Sequence, residues 1–335
     1  MVCLWGLVIA RIALVKNDKI NNYVSKQNAW VTRYESNNKS ENIARYFFQK
    51  RILTWLPGDT GALASGILLG GDDDLSSESK KAFRKSGLSH ITAASGYNVV
   101  VVAGWVMGMV TKWLDKRRSI YIGIICTILY VYLAGMTIPV IRAGIMVVFA
   151  YIGLLYGRKT DIWWSLGLTV LVMMLINPAW TFEISFQLSV AATIGVVMVG
   201  VINNRLKANG WLANSVVINI QTSLGAWVMT MPLIVHHFGQ LSLVAPLANA
   251  LVIWVVPIIM EILGLAVTVG IFWGDLGWLV SLAAWPGLKF MLLATNWLSS
   301  WSWASIEVVR LSWVWVFGCY LTISLLVYKW LQRRY

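Results

Sequence analysis

Between residues 91 and 331, apolar runs follow one another with little charge inside them, and the ionic residues gather in the short connections. A run of about 20 apolar residues spans the ~30 Å hydrocarbon layer of a bilayer. Inside that layer every backbone polar group must be satisfied by protein, so unbroken apolar runs cross as helices. Only 12% of the residues are charged, against about 25% in a soluble domain. The fold class that follows is an all-α polytopic membrane protein with roughly nine or ten transmembrane helices.

The runs lie at 91–113, 119–134, 139–156, 162–176, 184–202, 216–235, 241–272, 276–298 and 311–331. The stretch 241–272 is too long for one straight span and contains Pro246 and Pro257. It reads as a re-entrant or broken half-helix followed by a crossing. Three parts are expected: a short hydrophobic segment and polar loop at 1–42, a membrane domain at 43–298, and an interfacial segment with a final helix at 299–335. The apolar stretch 2–15 is interrupted by Arg11 and reads as a marginal or tilted span rather than a signal peptide.

Ahead of the runs, 43–56 is expected to form an amphipathic interfacial helix. Ile43, Tyr46, Phe47, Ile52, Trp55 and Leu56 oppose Arg45, Lys50 and Arg51, and Pro57-Gly58-Asp59 ends it. Asp72, Asp73 and Asp74 precede Ser76, Ser77 and Glu78, and read as the cap and acidic first turn of the next, basic helix rather than as metal ligands. The histidines are His90, His236 and His237. Neither they nor Cys3, Cys126 and Cys319 have metal-site or disulfide spacing. No metal or other cofactor is expected, no phosphate-binding loop is present, and no enzymatic activity is expected.

The chain enters its first core run, 86–113, through His90, Thr92, Ser95, Gly96 and Asn98, small and polar groups that a plain anchor does not need. Two readings stand for them, a pathway lining and a close helix–helix contact. Arg142 lies inside an apolar run, where a guanidinium is costly unless it faces protein or a wet cavity. It reads either as a pathway group whose planar fork suits phosphate oxygens or as a structural lock to carbonyls or to a buried carboxylate, Glu183 or Glu261. Gln187 and Ser189 carry the same two readings as Asn98. Glu261 is either a proton-coupling carboxylate or the partner of a basic group. His236-His237 reads as a solvated outer turn, and Trp297, Trp301 and Trp303 with Ile306 and Val308 as an outer-face interfacial segment in preference to a stacking platform for bases.

The net charge is +13. Lys116-Arg117-Arg118, Arg158-Lys159, Arg205/Lys207 and Lys329/Arg333/Arg334 fall on one side if the runs alternate, and that side is cytoplasmic. Lys80, Lys81, Arg84 and Lys85 then lie outside, against the rule. An incoming polyanion and a re-entrant segment in the count are the two explanations.

Several stretches, in order, resemble one family. They are Gly70, Asp72 and Leu75; Phe83-Arg84-Lys85-Ser86-Gly87-Leu88-Ser89-His90; Ala94-Ser95-Gly96; and Ile141-Arg142-Ala143 with Met146. Asn177-Pro178, Phe186-Gln187-Leu188-Ser189, Ala191 and Gly195 follow, then Phe238-Gly239-Gln240, Pro246-Leu247-Ala248-Asn249 and Pro257. Together they resemble the membrane domain of ComEC-type competence proteins. The resemblance implies a channel in the bacterial cytoplasmic (inner) membrane that admits single-stranded DNA during natural transformation.

It further implies a separate DNA receptor, nuclease and cytoplasmic ATPase, with a homo-oligomer as one way to enclose the strand. Arg142, Asn98, Ser95, Thr92, Gln187 and Ser189 would line the path. Lys80, Lys81, Arg84, Lys85 and His90 would meet DNA outside, and Gly96, Pro246 and Pro257 would break the helices. Tyr97-Asn98 stands where the family usually has Leu-His, and the family's OB-like and metallo-β-lactamase-like domains are expected to be absent. The rival functions are a secondary transporter of a small anion or metabolite, and a non-conducting membrane subunit of a divided uptake machine.

Overall fold

The computed structural model describes residues 43–158, 160–202 and 211–332. The first apolar segment and polar loop, Lys159, Arg205, Lys207, Arg333 and Arg334 lie outside them. The described chain is helical. It runs through α1 (Ile43–Trp55), α2 (Asp59–Leu69), α3 (Ser77–Ser86), α4 (Ser89–Thr92), α5 (Gly96–Val110), α6 (Lys116–Leu133), α7 (Ile138–Leu155) and α8 (Ile162–Ile176). A 3₁₀ turn at Pro178–Phe182 leads to α9 (Ile184–Ile202), α10 (Trp211–Phe238), β1 (Gln240–Ser242), α11 (Ala245–Val252), α12 (Val255–Phe272), α13 (Gly274–Leu282) and α14 (Trp285–Ser299). β2 (Ser305–Glu307) and α15 (Trp313–Gln332) follow.

Local chemistry explains most boundaries. The Asp161 carboxylate accepts from the amides of Trp163 and Trp164 and starts α8. Asn177 starts the 3₁₀ turn, with Pro178 at its first position, where the missing amide costs nothing. Pro246 and Pro257 sit in the first turns of α11 and α12. The stretch 241–272 is therefore divided at residues 253–254, as its prolines predict. The run 276–298 is also divided: α13 and α14 meet at 45°. Pro286, the second residue of α14, has no amide with which to continue α13.

By length and composition, Ile138–Leu155 and Val255–Phe272 suffice to cross a membrane, and the bent pair α13–α14 makes a third candidate.

The chain folds as two compact units, each built from several stretches of sequence. One comprises the described residues of Met1–Leu75, His90–Phe186 and Val255–Lys289; the other comprises those of Ser76–Ser89, Gln187–Trp254 and Phe290–Tyr335. In the first, α5, α6 and α7 pack on one another, and α12 packs on α2, α5 and α13. In the second, α10 carries α11 and α15, and β1 pairs antiparallel with β2, Gln240 opposite Glu307 and Ser242 opposite Ser305. α9 crosses α10 where Gly195 and Gly225 bring their backbones together, the close approach that small residues permit.

Other expectations change as well. Ser76, not the aspartates, caps α3, accepting from the Ser79 amide at 3.2 Å; Asp74 instead accepts from Gln49 Nε2 at 2.7 Å. His236 and His237 belong to the last turn of α10, which ends at Gly239 with φ 64°. They are half-buried rather than solvated. The run 91–113 is interrupted at 93–95. In α1, Arg45 and Arg51 do not form a water face. Arg45 Nη2 donates to the Gly70 carbonyl at 2.7 Å, and Arg51 Nη1 donates to the Gly270 carbonyl. Both satisfy carbonyls at helix ends, where the dipole is negative.

Candidate site at the broken entry of α5

α2 is too short to span, about 16 Å at 1.5 Å per residue, yet ten of its eleven residues are buried. Its last carbonyls have no partner within the helix, and in hydrocarbon they would be intolerable. Side chains from three other helices meet them. Asn98 Nδ2 donates to the Ile67 carbonyl at 2.8 Å, Tyr130 Oη to the Leu68 carbonyl at 3.0 Å, and Arg45 to the carbonyl of Gly70. Burial pulls the Arg45 guanidinium below its ordinary value, and Asp73 partly restores it. An arginine so placed keeps its charge.

The same cradle fixes the break ahead of α5. Thr92 ends α4 with its carbonyl against Gly66, where a side chain would collide with it. Ser95 caps α5: its hydroxyl accepts from the Asn98 amide at 3.4 Å and donates to Asn98 Oδ1 at 2.9 Å. Gly96 begins the helix so close to α7 that an added Cβ would lie 3.3 Å from both the Pro139 carbonyl oxygen and Arg142 Nη2. Arg142 therefore stands beside the positive end of the α5 dipole. It is 8% exposed, and its Nη1 lies 3.9 Å from Met146 Sδ. It lies one turn inside α7 rather than at mid-span.

The predicted residues separate into groups. Ser95, Gly96 and Arg142 converge at the break, where Ser95 and Gly96 are half-buried. Thr92 and Asn98 are buried, and Asn98, 2% exposed, has its amide and carbonyl engaged. Glu261 is exposed on α12, a different environment from that of buried Arg142.

In the other unit, Gln187 and Ser189 are half-buried on α9, with Gln187 Oε1 3.3 Å from His237 Nε2. His236 Nδ1 donates to the Leu311 carbonyl, and its ring centroid is 4.3 Å from that of Trp313. Lys81, Arg84 and Lys85 are exposed there and Lys80 is half-buried, while His90, in the first unit, is exposed. Among the described residues no three His, Cys, Asp or Glu side chains group to hold a metal. Arg45 and Tyr130 were not predicted, because their acceptors are backbone carbonyls.

Asn98→Leu keeps the volume and removes the amide, leaving the buried Ile67 carbonyl unmet. Such a loss costs about 1–3 kcal/mol, so the detergent-solubilised protein should melt several degrees lower. An unchanged melting temperature would mean that the Asn98–Ile67 bond contributes nothing net.

The model of the family described as Competence protein matches residues 67–333. ComE operon protein 3 of Bacillus subtilis (strain 168) is 25% identical over 244 residues, 70% of this chain and 31% of that protein. The uncharacterized protein YcaI of Escherichia coli (strain K12) is 26% identical over 216 residues, 60% of this chain and 28% of its own length. The chain thus spans under a third of the length of these curated relatives. No solved structure matches it.

Proposed function

The chain belongs to the competence protein family, and on that footing we propose that it is the membrane channel through which single-stranded DNA enters the cytoplasm during transformation. In this reading it sits in the bacterial cytoplasmic membrane and crosses it roughly nine or ten times, with the shorter apolar helices completing the count. The observation that carries the reading is Arg142, a buried guanidinium beside the broken, dipole-positive entry of α5. Phosphate must exchange water for fixed positive groups to pass hydrocarbon. A helix N-terminus and a bidentate arginine are the two protein groups best matched to it.

Ser95 and Arg142 are the path groups of this proposal. Thr92 and Asn98 hold the break open from behind. Lys80, Lys81, Arg84, Lys85 and His90 receive the strand outside. The channel performs no bond chemistry, so a DNA receptor, a nuclease and a cytoplasmic ATPase act as separate partners, and a second copy of the chain can complete the enclosure.

Reconstitution of the full chain in a planar bilayer tests this. Single-stranded oligonucleotides should interrupt its ionic current transiently under voltage, and duplex of equal length should not pass. A non-conducting protein that instead drives gradient-dependent uptake of a labelled small anion is a secondary transporter.

A further inference from the structure

Within the second unit, Ser242 ties two exposed features together that lie far apart in the chain. Its hydroxyl donates to the Lys85 carbonyl at 2.8 Å, with a weaker approach of 3.4 Å to the Ala304 carbonyl. The Leu243 amide also donates to Ala304, at 3.0 Å. Lys85 is in the last turn of basic α3, and Gly87, which ends that helix with φ 76°, packs on Ser242 and Ala245.

Ala304 directly follows an aromatic series. Trp297 and Trp301 have ring centroids 5.0 Å apart, and Trp301 and Trp303 4.8 Å apart. The outer two rings are 58% and 52% exposed. α3 carries Lys80, Lys81, Arg84 and Lys85 against the single carboxylate of Glu78. The intervening Ser300 and Ser302 are exposed, and the adjoining ribbon presents Gln240, Ser305 and Glu307.

We propose that this juxtaposition is a landing platform for single-stranded nucleic acid, in which Lys81, Arg84 and Lys85 hold the phosphates while bases stack on Trp297 and Trp303. It rests on the DNA-channel reading and assigns that reading a site of first contact. Aromatic faces beside a positive track are how single strands are bound without sequence preference, and a duplex keeps its base faces covered. Trp297 and Trp303 are each more than half exposed, which leaves ring surface available to a base. A membrane interface is the rival occupant of tryptophan. The exposed serines between the rings and the exposed Glu307 beside Ile306 favour an aqueous strand.

The test uses the purified full chain in phosphatidylcholine nanodiscs, with fluorescent oligothymidylate and an equally long abasic strand as probes. W297L/W303L should weaken oligothymidylate binding at least about tenfold, the size of one lost base–aromatic stack. It should leave the weaker abasic binding and the salt dependence unchanged, and W297F/W303F should restore most of the affinity. K81Q/R84Q/K85Q should weaken both probes and flatten the log–log salt slope by about 2, at ~0.7 per phosphate contact on a single strand.

Unchanged oligothymidylate binding by W297L/W303L, or equal loss of both probes, would overturn the platform, as would lost lipid retention with intact DNA binding. If the charge variant alone has its effect, stacking fails and the DNA reading stands. If the native chain binds neither probe, both fall.

Discussion

Gly70→Val should strip the folded protein from the membrane fraction. Gly70 has φ 81°, where an L side chain is strained by about 1–3 kcal/mol. An added Cβ would overlap that of Ala94 and lie 2.9 Å from the Ala94 amide nitrogen. Backbone cannot yield there as the tip of a flexible side chain can, and overpacking adds about 1–3 kcal/mol. The Arg45 bond to the Gly70 carbonyl would be displaced as well. Together these approach the whole stability of an ordinary domain, about 5–15 kcal/mol.

Gly157→Ala separates the two causes. Gly157 has φ 66° but open space around it, so it should show the strain alone and a modest drop in melting temperature. Immunoblotting of membranes and detergent-extracted yield measure both variants. Wild-type levels of Gly70→Val would show that the α2 terminus tolerates displacement.

Arg142→Ala should lower DNA entry steeply, by a different route. The variant removes the one predicted path group that is both charged and seated at the helix break, and charge-assisted hydrogen bonds contribute about 1.5–3 kcal/mol each. Loss of one such contact in the passage step lowers entry roughly ten- to hundredfold. Arg142→Met retains the length and apolar packing of the stem and should match the alanine variant. Arg142→Lys keeps the charge without the planar fork and should fall between. A purely structural arginine would give a different order, with Arg142→Met near wild type. Transformation frequency, normalised to protein level, distinguishes the orders.

Much of the helical architecture was legible because it obeys local rules. The runs 162–176 and 184–202 match α8 and α9 at both ends, since Asp161 caps one and Asn177-Pro178 divides them. Pro246 and Pro257 announced the broken stretch, and membership in the competence family was readable from motifs spread over the chain. What escaped was nonlocal. The aspartates looked like a helix cap because they precede one; Gln49, 25 residues away, holds Asp74 instead. Arg45 and Arg51 looked like a polar face until two distant helix ends claimed them.

The site divides the same way. The small and polar entry at 92–98 stood out, and so did Arg142. Tyr130 did not, because its acceptor is the carbonyl of Leu68, 62 residues away, and a backbone carbonyl has no signature in side-chain pattern. The tryptophans were visible as a group, but their tie to α3 runs through Ser242 and strands of three residues each, too short for alternation to register.

If DNA crosses the membrane through this chain, cytoplasmic entry of labelled DNA depends on its presence and on Arg142. Intact, deleted and Arg142→Ala cells would be compared, with membrane levels of the protein and surface-bound DNA measured in each. Both altered strains should bind DNA at the surface; the deletion strain should admit none, and Arg142→Ala, with its protein present at normal amounts, roughly ten- to hundredfold less than intact cells. Normal entry in the deletion strain would contradict passage through this chain.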